Sequence, residues 1–143
     1  FANSTHIIDL AFHLSGRPIK WNTFNKKGSI SWHPISQFAG SGITENNVIF
    51  SYLTNWESAG RWSIELMTKK RKIYLKPIEK LHIQNKGSIE IKEYKLSNEN
   101  DNGLKDGLLN QVNAFISDDY SNLLDIHEHI WNTKNIYKKI LKK

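Results

Sequence analysis

The densest cluster of ionisable side chains in the chain is His6, Asp9 and His13. Spacings of three and four set all three along one face of a helix. Three kinds of chemistry stay open on these residues. Imidazole and carboxylate at such offsets can share a zinc or iron(II) ion, although ligands spread over two turns are adjacent only in pairs. His6, at the start of the helix, can exchange a proton near neutral pH. The third reading is a half-buried helix whose aspartate makes a local hydrogen bond. A second cluster, His127-Glu128-His129, fails as a chelate, because successive helical residues diverge by about 100°.

The element that must position the first cluster runs from His6 to Ser15, where Ile7, Ile8, Ala11, Phe12 and Leu14 are spaced as in a helix. Ser4 or Thr5 can cap it, and Gly16 followed by Pro18 stops it. From residue 18 to about 96 the pattern changes to strands. Ile19 to Phe24 and Ile30 to Trp32 flank a turn, and Asn47 to Trp56 alternates with Val48, Phe50, Tyr52 and Trp56 on one side. After a turn through Glu57 to Gly60, Arg61 to Met67 alternates again. Ile73 to Leu75, Lys80 to Gln84 and Ser88 to Leu96 supply further strands. Two helices close the chain. One carries the stripe Leu104, Leu108, Leu109, Val112, Phe115 and Ile116. The other, with Ser121 as its N-cap, carries Leu123, Ile126, Ile130, Tyr137 and Leu141, with Leu124 and Trp131 beside them. This order predicts one α+β domain over residues 1–143: an open, mostly antiparallel sheet of about six to eight strands with helices packed on one face.

Composition narrows the partners. The chain has 143 residues, 38% hydrophobic and 24% charged, and no cysteine. Disulfides and thiolate chemistry are therefore excluded, and a reducing cytoplasm fits. No apolar run approaches the roughly 20 residues needed to cross a bilayer. The net charge of +6 is uneven: residues 67–95 hold nine basic against three acidic side chains, and the last ten hold five lysines. A solvated lysine surface is the default for such runs, including Lys69-Lys70-Arg71-Lys72. Trp56, Trp62 and Tyr52 fall on the aliphatic sides of their strands, which suits a core or a subunit interface. Neither nucleic acid nor membrane is expected as a partner. No G-x-G-x-x-G or P-loop sequence is present. The first residues, Phe1 to His6, lack an initiator Met and read as the middle of a longer chain.

The stretch Asn3-Ser4-Thr5-His6-Ile7-Ile8-Asp9-Leu10 with Leu14-Ser15-Gly16 resembles the start of the C-terminal domain of the glucose–fructose oxidoreductase / inositol dehydrogenase (Gfo/Idh/MocA) family, written there as D-x-x-x-H-x-x-D-L. Trp56 to Trp62 (W-x-x-x-G-R-W), Leu75-Lys76-Pro77-Ile78-Glu79 and Gln111-Val112-Asn113-Ala114-Phe115 are similar to later motifs in the same order. The wording is also similar to that of members serving bacterial surface-polysaccharide sugar synthesis.

This resemblance implies a detached substrate-binding and oligomerisation domain. An N-terminal Rossmann domain, absent from this chain, would hold NAD or NADP and the family's usual lysine. It implies hydride transfer between a sugar or nucleotide-sugar carbon and the nicotinamide. His6 would be the catalytic acid/base, Asn3 and Thr5 would bind substrate, and no metal is involved. Asp9 would fix the helix rather than touch substrate. The bare sheet face would build a homodimer or tetramer. One departure stands out: Ala2 occupies the position where the family carries Asp. The alternative is a non-enzymatic, sheet-based binding or assembly module that uses its basic face.

Overall fold

The computed structural model describes residues 4–95, 107–121 and 123–142. The chain divides into two compact units, one of Phe1–Gly60 with His127–Lys143 and one of Arg61–Ile126.

In the first unit, helix α1 (Thr5–Ser15) leads into strands β1 (Pro18–Lys27), β2 (Ile35–Thr44) and β3 (Ile49–Asn55). α1 ends as expected at Gly16, whose φ of 88° and amide bond to the Phe12 carbonyl stop the helix. The strands form one antiparallel sheet in the order β1-β2-β3. β2 is the central strand, although its stretch lacked an apolar alternation, and the expected strand Ile30 to Trp32 lies instead in the β1–β2 loop. The inner face of β2 is built from Ser36, Phe38, Gly40, Gly42 and Thr44. A Cβ on Gly40 would meet the Tyr52 ring at 2.5 Å, and one on Gly42 would meet Trp21 Cβ at 2.2 Å. Both glycines therefore make room for aromatic neighbours, at the cost of the hydrophobic period that marks a strand.

A C-terminal helix covers this sheet together with α1. It comprises α3 (Ile126–Asn132), a π-helical stretch (Thr133–Tyr137) and α4 (Lys138–Leu141). The core joins Trp21, Phe38, Ile136, Tyr137 and Ile140, with Ile8, Phe12, Phe50, Tyr52 and Trp131 packed against it. Phe12 meets the Phe50 ring edge-on at 5.1 Å and the Trp21 ring at 6.4 Å. The expected stripe is corrected here: Ile126 and Ile130 are exposed, while Ile136 and Ile140 are buried beside Tyr137. The π-helical stretch inserts an extra residue into the helical repeat and so rotates the buried face.

In the second unit, β4 (Ile64–Met67), β5 (Arg71–Leu75), β6 (Leu81–Asn85) and β7 (Ile91–Tyr94) form a four-stranded antiparallel meander, followed by α2 (Leu108–Ile116). One register row aligns Ile64, Leu75, Leu81 and Tyr94, and another aligns Leu66, Ile73, Ile83 and Lys92. These rows share one face. Glu65, Tyr74, His82 and Glu93 align on the other. Of the α2 stripe, Leu104 lies outside the described residues, and Leu108, Val112, Phe115 and Ile116 are exposed.

The molecule is thus α+β with two antiparallel sheets of three and four strands, not the expected single open sheet. The break falls at residues 56–63, where a hairpin turn was expected. Glu57 is instead drawn back to the β1–β2 loop, accepting bonds from the Ser29 amide and hydroxyl, each at 2.6 Å, and from Ser36 Oγ at 2.7 Å. Strand pairing restarts at Ile64, in the second sheet. Ser121 also departs from its expected role. It donates to Asp119 Oδ1 from its amide and its hydroxyl, and α3 begins five residues later.

Candidate functional site

α1 carries the three ionisable side chains of the first cluster, and the fold gives them different surroundings. Asp9 is committed to structure. Its Oδ1 accepts a bond from the Tyr137 hydroxyl and one from Asn132 Nδ2 at 3.1 Å. Both donors come from the C-terminal helix, more than 120 residues away, so the bond is tertiary rather than local. Burial raises the Tyr137 hydroxyl above the ordinary tyrosine range, and the Asp9 bond raises it further. Tyr137 thus stays protonated and donates, while the carboxylate clamps α1 to the helix beside it.

His6 lies on the first turn of α1 and is exposed; Thr5 precedes it and is half-buried. His13, two turns on, is also exposed. Asn3 and Ala2 lie outside the described residues. Among the described residues, no group of three His, Cys, Asp or Glu side chains is placed to hold a metal ion. Within the cluster, a face that was continuous in sequence is therefore divided by use. Its central carboxylate points into a packed junction and its outer imidazoles face solvent.

The junction extends through a contact that local reasoning missed. Arg17, just past the helix stop, donates through its guanidinium to both carboxylate oxygens of Glu128, with Nε at 3.4 Å from Oε1. Its Cζ lies 4.3 Å from the centroid of the Trp131 ring. The backbone of Arg17 exchanges bonds with Glu45: its amide donates to Oε1 at 2.9 Å, and its carbonyl accepts from the Glu45 amide at 2.8 Å. Thr44 Oγ1 donates to the Ser15 carbonyl at 2.7 Å. The C-terminal end of α1 is thereby fixed to the β2–β3 turn and to the C-terminal helix, leaving His6 at the end of a braced element. Glu128, the centre of the second ionisable cluster, serves as the acceptor for Arg17, and the His129 ring meets Tyr137 edge-on at 6.0 Å.

The sheet of the first unit has a second, uncovered face. Phe24, Ala39 and Leu53 form one register row across it, and Ile43 pairs with Ile49 in another. Phe24 is 65%, Leu53 81% and Ile49 84% exposed. Apolar side chains aligned in rows on a sheet face are more than scattered surface hydrophobics.

The described residues do not fit a dinucleotide cofactor. Both sheets are wholly antiparallel, and among the described residues there is no strand–Gly-rich turn–helix unit to receive a pyrophosphate at a helix N-terminus. No helix among the described residues is long and apolar enough to cross a membrane. In comparisons with known proteins, the chain matches no family model, no curated protein and no solved structure.

Proposed function

We propose that this chain is the substrate-side and subunit-contact part of a cytoplasmic oxidoreductase acting on a sugar or nucleotide-sugar hydroxyl. NAD or NADP would be carried by a separate Rossmann segment. The observation that carries this reading is the division of labour on α1. Asp9 is consumed in bracing the helix, while His6 stands exposed on its first turn. His6 is the group we assign to taking or returning the hydroxyl proton, with Asn3 and Thr5 orienting the sugar. An imidazole on a helix held at both Asp9 and Arg17 keeps its position without closing off access. The bare face with Phe24, Leu53 and Ile49 supports a homodimer or tetramer built through the sheet.

The test uses the complete gene product. Titration with NAD(H) and NADP(H) is expected to show binding of one of them. His6→Ala is expected to lower turnover by roughly 10²–10⁴-fold, the usual contribution of a positioned acid/base, with cofactor affinity unchanged. Failure of both nucleotides to bind would remove the oxidoreductase reading and leave a non-enzymatic assembly module. An unchanged rate in His6→Ala would remove His6 from the chemistry.

A further inference from the structure

The sheet of the first unit ends in an edge strand on either side, β1 and β3. An edge presents a row of peptide N–H and C=O groups with no neighbouring strand, and proteins commonly guard it with charge, proline or shortness. β1 carries Pro18, Lys20, Lys26 and Lys27, and its Thr23 hydroxyl donates to the Lys139 carbonyl of α4 at 3.3 Å. In the second unit the edge strands β4 and β7 are four residues each and carry Glu65, Lys92 and Glu93. β3 has none of these guards. Its seven residues, Ile49-Phe50-Ser51-Tyr52-Leu53-Thr54-Asn55, include no charge and no proline. Among the described residues, the backbone of Ile49 to Thr54 bonds only in its pairing with β2, which leaves the outward row unpaired. Ile49, Ser51 and Leu53 are exposed beside that row.

An identical strand fits this edge. Two copies related by a two-fold axis perpendicular to the sheet pair antiparallel and keep their faces aligned, so residues that face each other share a face. Such a pairing is centred on a single residue. Centred on Ser51, Ile49 faces Leu53 and Phe50 faces Tyr52, each twice, so every apolar side chain from Ile49 to Leu53 meets another. Centred on Tyr52, Ile49 would face Asn55 and Leu53 would face Ser51; centred on Phe50, Ile49 would face Ser51. The Ser51 register also extends the bare face. The row Phe24, Ala39 and Leu53 would continue through Ile49 and Ile43 of the second copy, five apolar side chains in succession.

We propose that β3 is the contact edge of a two-fold dimer, pairing antiparallel about Ser51 with β3 of a second copy of this chain. The contact is separate from packing through the bare face and stands whether or not His6 is catalytic. Sedimentation velocity of the full chain over a concentration series is expected to show a monomer–dimer equilibrium. Ser51→Lys sets two like charges against each other at the axis and is expected to weaken the dimer roughly tenfold. Phe24→Lys, on the same face but two strands from the edge, is expected to leave it unchanged. Ser51→Cys, in a chain with no other cysteine, is expected to form an intermolecular disulfide under mild oxidation. Facing Cα atoms in an antiparallel pair lie about 4.5–5.5 Å apart, within disulfide reach. Ser41→Cys, one strand inward, would stand about 14 Å from its counterpart and is expected to stay reduced. Matching circular dichroism melts would establish that the variants remain folded. Three results would each overturn the edge contact: a chain that stays monomeric across the series, a dimer that Phe24→Lys weakens as much as Ser51→Lys, or cross-linking of Ser41→Cys as readily as of Ser51→Cys.

Discussion

The two units solve the same problem with unequal means. In the first, three strands are covered by α1 and the C-terminal helix, and five large side chains, from Trp21 to Ile140, are buried between the layers. In the second, four strands complete their hydrogen bonds as well as the first three do, yet Ile64 is the single buried hydrophobic side chain among its described residues. Leu75, Leu81, Ile73 and Ile83 share its face and remain half-buried. Hydrogen bonding is satisfied within a sheet, whereas burial of its apolar face requires a second layer. The first unit has that layer because Asp9, Tyr137, Asn132, Arg17 and Glu128 bolt two sequence-distant helices together.

The comparison can be broken most directly by cavity mutations. Ile136 is 1% exposed and Ile64 is 8% exposed. Ile136→Ala is expected to cost about 4 kcal/mol in urea unfolding, and Ile64→Ala about 2 kcal/mol, because a half-covered face can relax around a lost side chain. Equal losses would show that the second unit is packed as tightly as the first.

A smaller effect is expected from the clamp. Asp9→Ala leaves the Tyr137 hydroxyl and the Asn132 amide without their acceptor, and should destabilise the first unit by about 2 kcal/mol. Tyr137→Phe with Asp9→Ala should recover part of that loss, since the buried hydroxyl is then gone. Additive losses in this double-mutant cycle would dissolve the clamp as a coupled element.

The smallest effect concerns the tie between Glu57 and the residues Ser29 and Ser36. Bonds from the Ser29 hydroxyl and amide, then from Ser36, lower the Glu57 carboxyl from its ordinary 4.5 to about 2. A depressed folded-state pKa stabilises above the unfolded value, and that contribution is lost as pH falls from about 4.5 to about 2. The melting difference between the natural chain and Glu57→Gln should be largest near neutral pH and close across that window. A difference that is constant with pH would mean the carboxylate charge contributes nothing.

Local pattern carried a good part of this molecule. Helix α1 starts and stops where its apolar spacing, Gly16 and Pro18 place it; β3 and β4 lie in stretches whose alternation can be read residue by residue, and β5 to β7 overlap the further strand stretches. These features depend on neighbours within a few positions. Asp9 was also readable as a helix-fixing residue, though not its partners. β2 was hidden because its inner face is made of Ser, Gly and Thr, chosen by the aromatic rings they face rather than by hydrophobicity.

What the sequence by itself determined is the inventory: an α+β composition, antiparallel hairpins, a chemically armed first helix and a basic stretch around Lys69 to Lys72. Tertiary structure alone decided how the inventory is used. Glu57 is captured by Ser29 and Ser36, and the strands fall into two sheets. The π-helical stretch turns Ile136 and Ile140 inward in place of Ile126 and Ile130. Tyr137 and Asn132 claim Asp9 and leave His6 as the exposed member of the first turn. Each of these outcomes joins residues tens to more than a hundred positions apart or sums a local irregularity over a whole helix. Periodicity reports only which face a side chain shares with its neighbours, so such pairings are settled when the elements pack.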